Sequence, residues 1–372
     1  MYISNKMKGI MKIMNRKGHG IFRCQENPLL TPQDVKPSCE EFSVKGVFNC
    51  GVTKYKDEYI LLCRVAEAVD AKDGYVKVPI IGEKEGKSVF EIVNIIKSEY
   101  PEYCFSDSRT ITWGNDANSN VVWLTTLSHL RIARSKDGIH FTIEDAPVIM
   151  PDAVDECWGM EDPRITKIGD VYYINYTAVS SKGASTALIS TKDFETYERQ
   201  GNIFLPENKD VTIFPEKIGG KYYCFNRPVP KGIGSPDMWL SESKDLIYWG
   251  RHRHFYGIED GWEGGRIGGG APPLKTEKGW IKIYHAADKN NRYCLGVFLL
   301  DLKDPGRIIA KSKQPLLEPE MEYEKEGFFG QVVFTCGALL EENCIKIYYG
   351  AADNSICLAE IELEDIYAYL GV

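Results

Sequence analysis

RITKIGDVYYINYTA, residues 164–178, consists of two short runs of alternating apolar residues hinged on Gly169-Asp170. A Gly-Asp pair between such runs predicts a tight β-hairpin. The unit recurs as GVTKYKDEYILLCRV (51–65), EKIGGKYYCFNRP (216–228), PLKTEKGWIKIYHAA (273–287) and ALLEENCIKIYYGAA (338–352). Most copies lead into a second strand pair closed by another polar turn: ARSKDGIHFT (133–142), ISTKDFETYE (189–198), LSESKDLIYW (240–249) and, more loosely, FLLDLKDPGRI (298–308). Four short strands per unit, repeating every ~50–65 residues with little helical periodicity between, predict an all-β chain. The expected form is a five-bladed β-propeller, since radial repetition of small sheets leaves only short edges. The first unit carries an insertion around residues 70–118. The last strand, near Ile356–Glu362, is expected to complete the ring beside the N-terminal segment. Residues 1–26 read as an N-terminal extension and 27–372 as a single domain.

With 372 residues, 43% of them hydrophobic and 26% charged, the chain has ample sequence for a core. A formal net charge of −8 argues against nucleic acid or an anionic membrane as the main partner. The first residues, Met1 to Arg23, are basic and interrupted by Asn5, Lys8, Asn15 and Lys17, and no window approaches the ~18 apolar residues that cross a bilayer. A cytoplasmic location is expected. The eleven cysteines include no Cys-x-x-Cys pair, and Cys63, Cys224 and Cys294 sit inside apolar runs, which reads as buried free thiols and not as a zinc site or disulfide framework. Six histidines without metal-ligand spacing offer no metal centre. RIGGGAPP (266–273) lacks the Gly-Lys-Ser/Thr ending of a phosphate loop and precedes a strand; its glycines let backbone approach a ligand closely.

The stretch richest in chemistry is WGMEDPRIT, 158–166, where two carboxylates and an arginine stand at the start of a strand. Successive strand side chains point to opposite faces, so Glu161 and Asp162 are expected in different environments, one facing a pocket and the other bracing the backbone. Pro163 is expected to push Asp162 toward an extended conformation. In a ring of blades the inner strands end at a central cavity. The polar residues closing them converge there: Asn49 and Arg64, Asp162 and Arg164, Asn226 and Arg227, His285 with Asp288, and Asp353. Such a set exceeds what strand ends need for hydrogen bonding alone.

Taken in order, FNCGV (48–52), LLCRV (61–65), GMEDPRI (159–165), NKDVTIFPEKIGGKYYCFNRP (208–228), GGGAPPLKTEKGWIKIYH (268–285), YCLGVFLLDLKDP (293–305) and YYGAADNSICLA (348–359) resemble glycoside hydrolase family 130, the β-mannoside phosphorylases and their hydrolytic relatives. The resemblance runs from about Asn27 to the C-terminus. It implies a five-bladed propeller with its active site in the central cavity. It also implies that Asp162 is the catalytic acid, delivering its proton to the glycosidic oxygen through a hydroxyl of the bound mannose.

An inverting hydrolase needs an acid and a distant base. A phosphorylase brings an anionic nucleophile, so the acid alone is obligatory and the protein must hold a dianion, a task suited to Arg forks. The matching positions are Arg64, Lys209, Arg227, His285 and Tyr293 for phosphate. Asn49, Glu161, Arg164, Arg131 and Asp353 are the positions for substrate. The Lys209, Arg227, His285 and Tyr293 set favours phosphorolysis, and WGMEDPRI with the small-residue stretch Gly183–Ala187 looks closest to family members acting on β-1,2-linked mannobiose or short β-1,2-mannooligosaccharides, which implies α-mannose 1-phosphate as product and no cofactor beyond inorganic phosphate as co-substrate. β-1,4-Mannosides, hydrolysis by water and a non-catalytic binding platform are the alternatives. The small-residue stretch Gly183–Ala187 stands where some phosphorylases carry another basic residue. Trp262 and Tyr256 could stack on a sugar or close their own loop. Phosphorylases of this type often assemble, so a homo-oligomer is expected.

Overall fold

The computed structural model describes residues 20–114, 120–152 and 154–372. Most of the N-terminal stretch and part of the insertion therefore lie outside the described residues. The chain is mostly β, 54% strand against 6% helix, and among the described residues no helix is long and apolar enough to cross a membrane.

The hairpin units form as the turn chemistry dictates. Five four-stranded antiparallel meanders follow one another. The first comprises Phe42–Tyr55, Glu58–Val69, Leu127–Ser135 and Thr142–Ile143; the second Gly159–Ile168, Val171–Ser180, Gly183–Thr191 and Glu198–Phe204. The third holds Asn208–Ile213, Tyr222–Pro228, Met238–Ser243 and Trp249–Tyr256; the fourth Arg266–Gly269, Trp280–Ala287, Tyr293–Leu300 and Ile308–Lys311. The fifth takes Val333–Glu341, Cys344–Ala351 and Ser355–Glu362 from the end of the chain, and its outer strand, Phe22–Arg23, from the beginning. Phe22 pairs with Glu360, so residues read as extension are built into the last sheet.

The recurrent Ser/Thr-Lys-Asp turns have one geometry. Ser135, Thr191 and Ser243 each accept a backbone N–H three residues on, while the Oδ1 of Asp137, Asp193 and Asp245 each accepts two more. Local side-chain oxygens thus satisfy the donors that the turn removes from the ladder. Backbone N–H groups draw the Asp193 carboxyl down to about 2.

Consecutive meanders share apolar cores. Ile60 and Leu130 of the first pack with Ile165 and Ile174 of the second, and Leu188 and Ile203 pack with Val211 of the third. Phe225 and Leu240 meet Trp280 and Phe298 of the fourth, whose Ile283 and Val297 meet Ile345 and Ile347 of the fifth. Tyr348 and Leu358 of the fifth then pack on Val47 and Leu61 of the first. Each buried side chain of this size contributes roughly 1.5–3 kcal/mol. Gly159, at φ +115°, permits a close approach between the first two meanders, for a Cβ there would lie 2.7 Å from the Ser128 backbone nitrogen.

The insertion leaves the first meander after Val69 and returns at Leu127, forming a hairpin, Tyr75–Lys84 with Lys87–Ile96, and a small sheet of Tyr103–Cys104, Thr110–Trp113 and Val121–Leu124. It reaches three other meanders. Trp123 packs on Trp158 just before the second, Lys231 of the third donates to Asn120, and the Arg109 guanidinium lies 3.6 Å from the Phe329 ring ahead of the fifth. All eleven cysteines are free, with Cys63, Cys224 and Cys294 buried.

Candidate active site

The first strands of the first three meanders share an irregularity. Pairing register slips between Phe48 and Gly51, between Glu161 and Arg164, and between Lys209 and Thr212. Within each bulge one residue takes a positive φ: Asn49 at 49°, Asp162 at 52° and Asp210 at 55°. Asn and Asp tolerate this left-handed region better than other side-chain-bearing residues. A bulge re-aims side chains, and here it overturns two expectations at once. Asp162 is not extended, and Glu161 and Asp162 do not part. Both meet Arg64, whose Nη2 donates to Glu161 Oε1 at 2.8 Å and whose Nη1 donates to Asp162 Oδ1 at 3.0 Å.

Asn49 Nδ2 also donates to Asp162 Oδ1, at 2.9 Å. Two donors on Oδ1 orient the carboxyl and leave Oδ2 as the oxygen able to carry a proton outward. Among the described residues the Asn49 Oδ1 is buried without a hydrogen-bond partner, packed against Gly350. Lys209 Nζ stands 3.5 Å from Glu161 Oε2 and is one-third exposed, which extends this cluster toward the third meander. Burial opposes the charge on Arg64, but Glu161, Asp162 and Asp353 outweigh it and raise its pKa further.

A second cluster centres on Asp210, which the sequence reading passed over in favour of its neighbour Lys209. Arg227 Nε and Nη2 donate to Asp210 Oδ2 at 2.8 and 2.7 Å, His285 Nε2 lies 3.1 Å from the same oxygen, and Arg164 Nη2 donates to Oδ1 at 3.1 Å. Burial alone would raise the Asp210 carboxyl, but Arg227, His285 and Arg164 hold it well below the usual carboxylate range. Burial lowers the pKa of His285, against the pull of Asp210. The His285 ring packs 4.1 Å from Phe334 and 6.2 Å from Tyr293, centroid to centroid, and its Nδ1 has no protein partner.

Two residues expected to touch substrate are placed elsewhere. Arg164 is 1% exposed, and its donors go to Gly270 O, Gly269 O, Asp162 O and Asp210. It braces the bulge from behind. Arg131 lies in the first meander with Glu67 and His129 and donates to the carbonyls of Glu144 and Asp145, because its position in the strand turns it away from Arg64. The stretch Gly183–Ala187 begins a buried strand. Trp262 lies on Tyr284, and Tyr256 bonds Glu263 and Lys311, so both close their own loop.

Asp353, at φ +49°, completes the arrangement beside Arg64 and Arg109. Burial pushes its carboxyl up to about 6, with Arg64 opposing and Asp162 adding to the rise. A raised pKa means that the fold favours the neutral form, so its contribution to stability is present below the ordinary Asp range and is lost as pH rises through about 6. Above that pH, Asp353 becomes an acceptor only. An inflection near pH 6 in sugar binding is expected, measured calorimetrically without phosphate, and Asp353→Asn should remove it.

The glycines of RIGGG make the clusters possible. A Cβ on Gly268 would fall 2.5 Å from Asp210 Oδ2 and 2.6 Å from His285 Nε2. Gly268→Ala is therefore expected to break the Asp210–His285 contact while leaving Asp162 and Arg64 in place. Steady-state kinetics should show this as a larger change in KM for the anionic co-substrate than for the sugar.

A bridge of polar groups thus connects one orientable carboxyl, Asp162, to a set of fixed cations. This suits proton donation to a leaving group beside a bound anion. Residues 123–371 match the Glyco_hydro_130 family, described as beta-1,4-mannooligosaccharide phosphorylase. The chain is 46% identical over 353 residues to a beta-1,2-mannobiose phosphorylase of Listeria innocua serovar 6a, covering 95% of this chain and 99% of that protein. It is 44% identical over 244 residues to a 1,2-beta-oligomannan phosphorylase of a Thermoanaerobacter species, covering 64% of this chain and 80% of the relative. The solved structure of the Listeria innocua beta-1,2-mannobiose phosphorylase in complex with beta-1,2-mannobiose superposes with a TM-score of 0.90 at 47% identity, over 94% of this chain and 99% of that one.

Proposed function

The chain belongs to glycoside hydrolase family 130, and from that premise we propose that it is an inverting β-1,2-mannobiose phosphorylase built as a five-bladed β-propeller with its active site in the central cavity. Five meanders, each sharing a core with the next and the fifth with the first, support the propeller.

The reaction is a single displacement. A phosphate oxygen attacks the anomeric carbon from the face opposite the glycosidic oxygen, the C1–O bond to the second mannose breaks as the new C1–O bond forms, and the β-linkage becomes α-mannose 1-phosphate. Asp162 supplies the proton that the departing oxygen needs, relayed through a hydroxyl of the transferred mannose, and regains it from solvent. Asn49 and Asp353 bind hydroxyls of that mannose. Lys209, Arg227, His285 and Tyr293 hold the phosphate, with Arg64 set between the anion and the acid. Asp210 and Arg164 position these groups. The observation that carries the reading is the juxtaposition of one orientable acid with cations that the fold has already fixed.

Hydrolysis has one observation in its favour: a carboxyl, Asp353, with a pKa pushed to about 6 and therefore able to act as a base. The linkage is tested by comparing kcat/KM for β-1,2- and β-1,4-mannobiose at saturating phosphate. A preference for β-1,2 of tenfold or more is expected, about 1.4 kcal/mol in transition-state binding; equal rates, or a preference for β-1,4, would overturn it. We also read the working form as a cytoplasmic homo-oligomer. The free thiols support the location. The sheet edge Lys87–Ile96, unpaired among the described residues, with exposed Tyr75, Phe90 and Trp113 on the same insertion, supports self-association.

A further inference from the structure

Asn208 and Lys209 are neighbours in one strand, and their side chains leave its opposite faces. Lys209 faces the acid cluster. Asn208 instead lines a groove of about 470 Å³ between the second and third meanders, walled by Phe204, Trp239 and Trp249 and floored by Asn208, Asn226 and His252. Its floor is a built polar chain. Asn208 Nδ2 donates to Asn226 Oδ1 at 3.0 Å, Asn226 Nδ2 donates to Ser241 Oγ at 2.7 Å, and Ser241 Oγ lies 2.7 Å from His252 Nδ1. At its inner end the chain is unfinished: Asn208 is 8% exposed, yet among the described residues its Oδ1 has no hydrogen-bond partner. An unpaired buried acceptor costs free energy unless something donates to it.

The lining contains no Asp, Glu, Lys or Arg. That composition disfavours phosphate, a sugar phosphate or a nucleotide, each of which needs a cation. Aromatic walls that can stack on the apolar faces of pyranose rings, above amides that pair with hydroxyls, match a neutral sugar. We propose that this groove is a second, non-catalytic binding site for a neutral oligosaccharide, with a ring packed on Trp249 or Trp239 over the polar floor. The choice of a mannoside as occupant rests on the function proposed above.

The test is calorimetric titration of the full chain carrying Asp162→Asn, without phosphate, with a β-1,2-mannotriose and, in parallel, a β-linked glucotriose. Two binding sites for the mannoside are expected, with the second weakened at least tenfold by Trp249→Ala. Trp239→Ala serves as an independent variant should loss of the Trp249–Phe204 stack lower the melting temperature. One site in both proteins, or two sites unchanged by either tryptophan variant, would overturn the proposal. Binding of the glucoside alone, lost with either tryptophan, would uphold the groove as a neutral-glycan site while removing the mannoside reading. In wild type, Trp249→Ala should leave kcat on the disaccharide unchanged.

Discussion

Asp162→Asn is expected to lower kcat for phosphorolysis by roughly a thousandfold, within the range of about 10²–10⁴ that a positioned general acid supplies. The substitution keeps the side chain's shape and still offers an oxygen to Asn49 and Arg64. It removes the dissociable proton together with the negative charge beside Arg64, and the fold should be undisturbed because Arg64 keeps Glu161 as counterion. A unimpaired melting temperature with kcat lost and KM little changed would locate the defect in the transition state. A donor with a better leaving group, such as an aryl mannoside, needs less proton assistance and should recover much of the rate. A variant that retains more than about a tenth of wild-type kcat on mannobiose would mean that another group supplies the proton.

Asp210→Asn is expected to be the most disruptive substitution outside the acid. The carboxylate neutralises Arg164 and Arg227, both buried, and holds His285. Removing one partner of a buried ion pair leaves uncompensated charge and costs about 3–5 kcal/mol. Denaturant titration should show the midpoint falling with its slope unchanged. Activity should suffer through KM for phosphate more than KM for the mannoside, because Arg227 and His285 lose their orientation while Asp162 and Asn49 keep theirs. The pH dependence follows from the same carboxylate. Its folded pKa is depressed, so its stabilisation is present above the ordinary Asp range and is lost as pH falls through the folded value. Asp210→Asn should flatten the acid limb of the wild-type stability curve, whereas an unaltered limb would contradict the hub.

The repeat was legible in the sequence because its signals are local. Gly169-Asp170 and the Ser/Thr-Lys-Asp turns make their own hydrogen bonds within a few residues, and the structure keeps all of them as turns. The site was harder to read, since it is built where the alternation rule breaks. Nothing in GMEDPRI or NKDVTI announces a bulge, so Glu161 and Asp162 could not be placed on one arginine, and Asp210 was passed over beside the more conspicuous Lys209. Arg131 and Arg164 read as available cations because burial is a property of the packed sheets, not of the local sequence. The contacts of Arg109 and Trp123 depend on where an inserted sheet comes to rest, which no periodicity specifies.

The central claim is that fixed cations hold a phosphate nucleophile beside a single acid, and the most direct measurement is a product analysis of the purified chain with β-1,2-mannobiose in the presence and absence of inorganic phosphate. With phosphate, α-mannose 1-phosphate and mannose are expected in equal amounts, and without it no cleavage. Free mannose released at the same rate in both conditions, with no sugar phosphate formed, would contradict the claim and leave Asp353 as the base of a hydrolase.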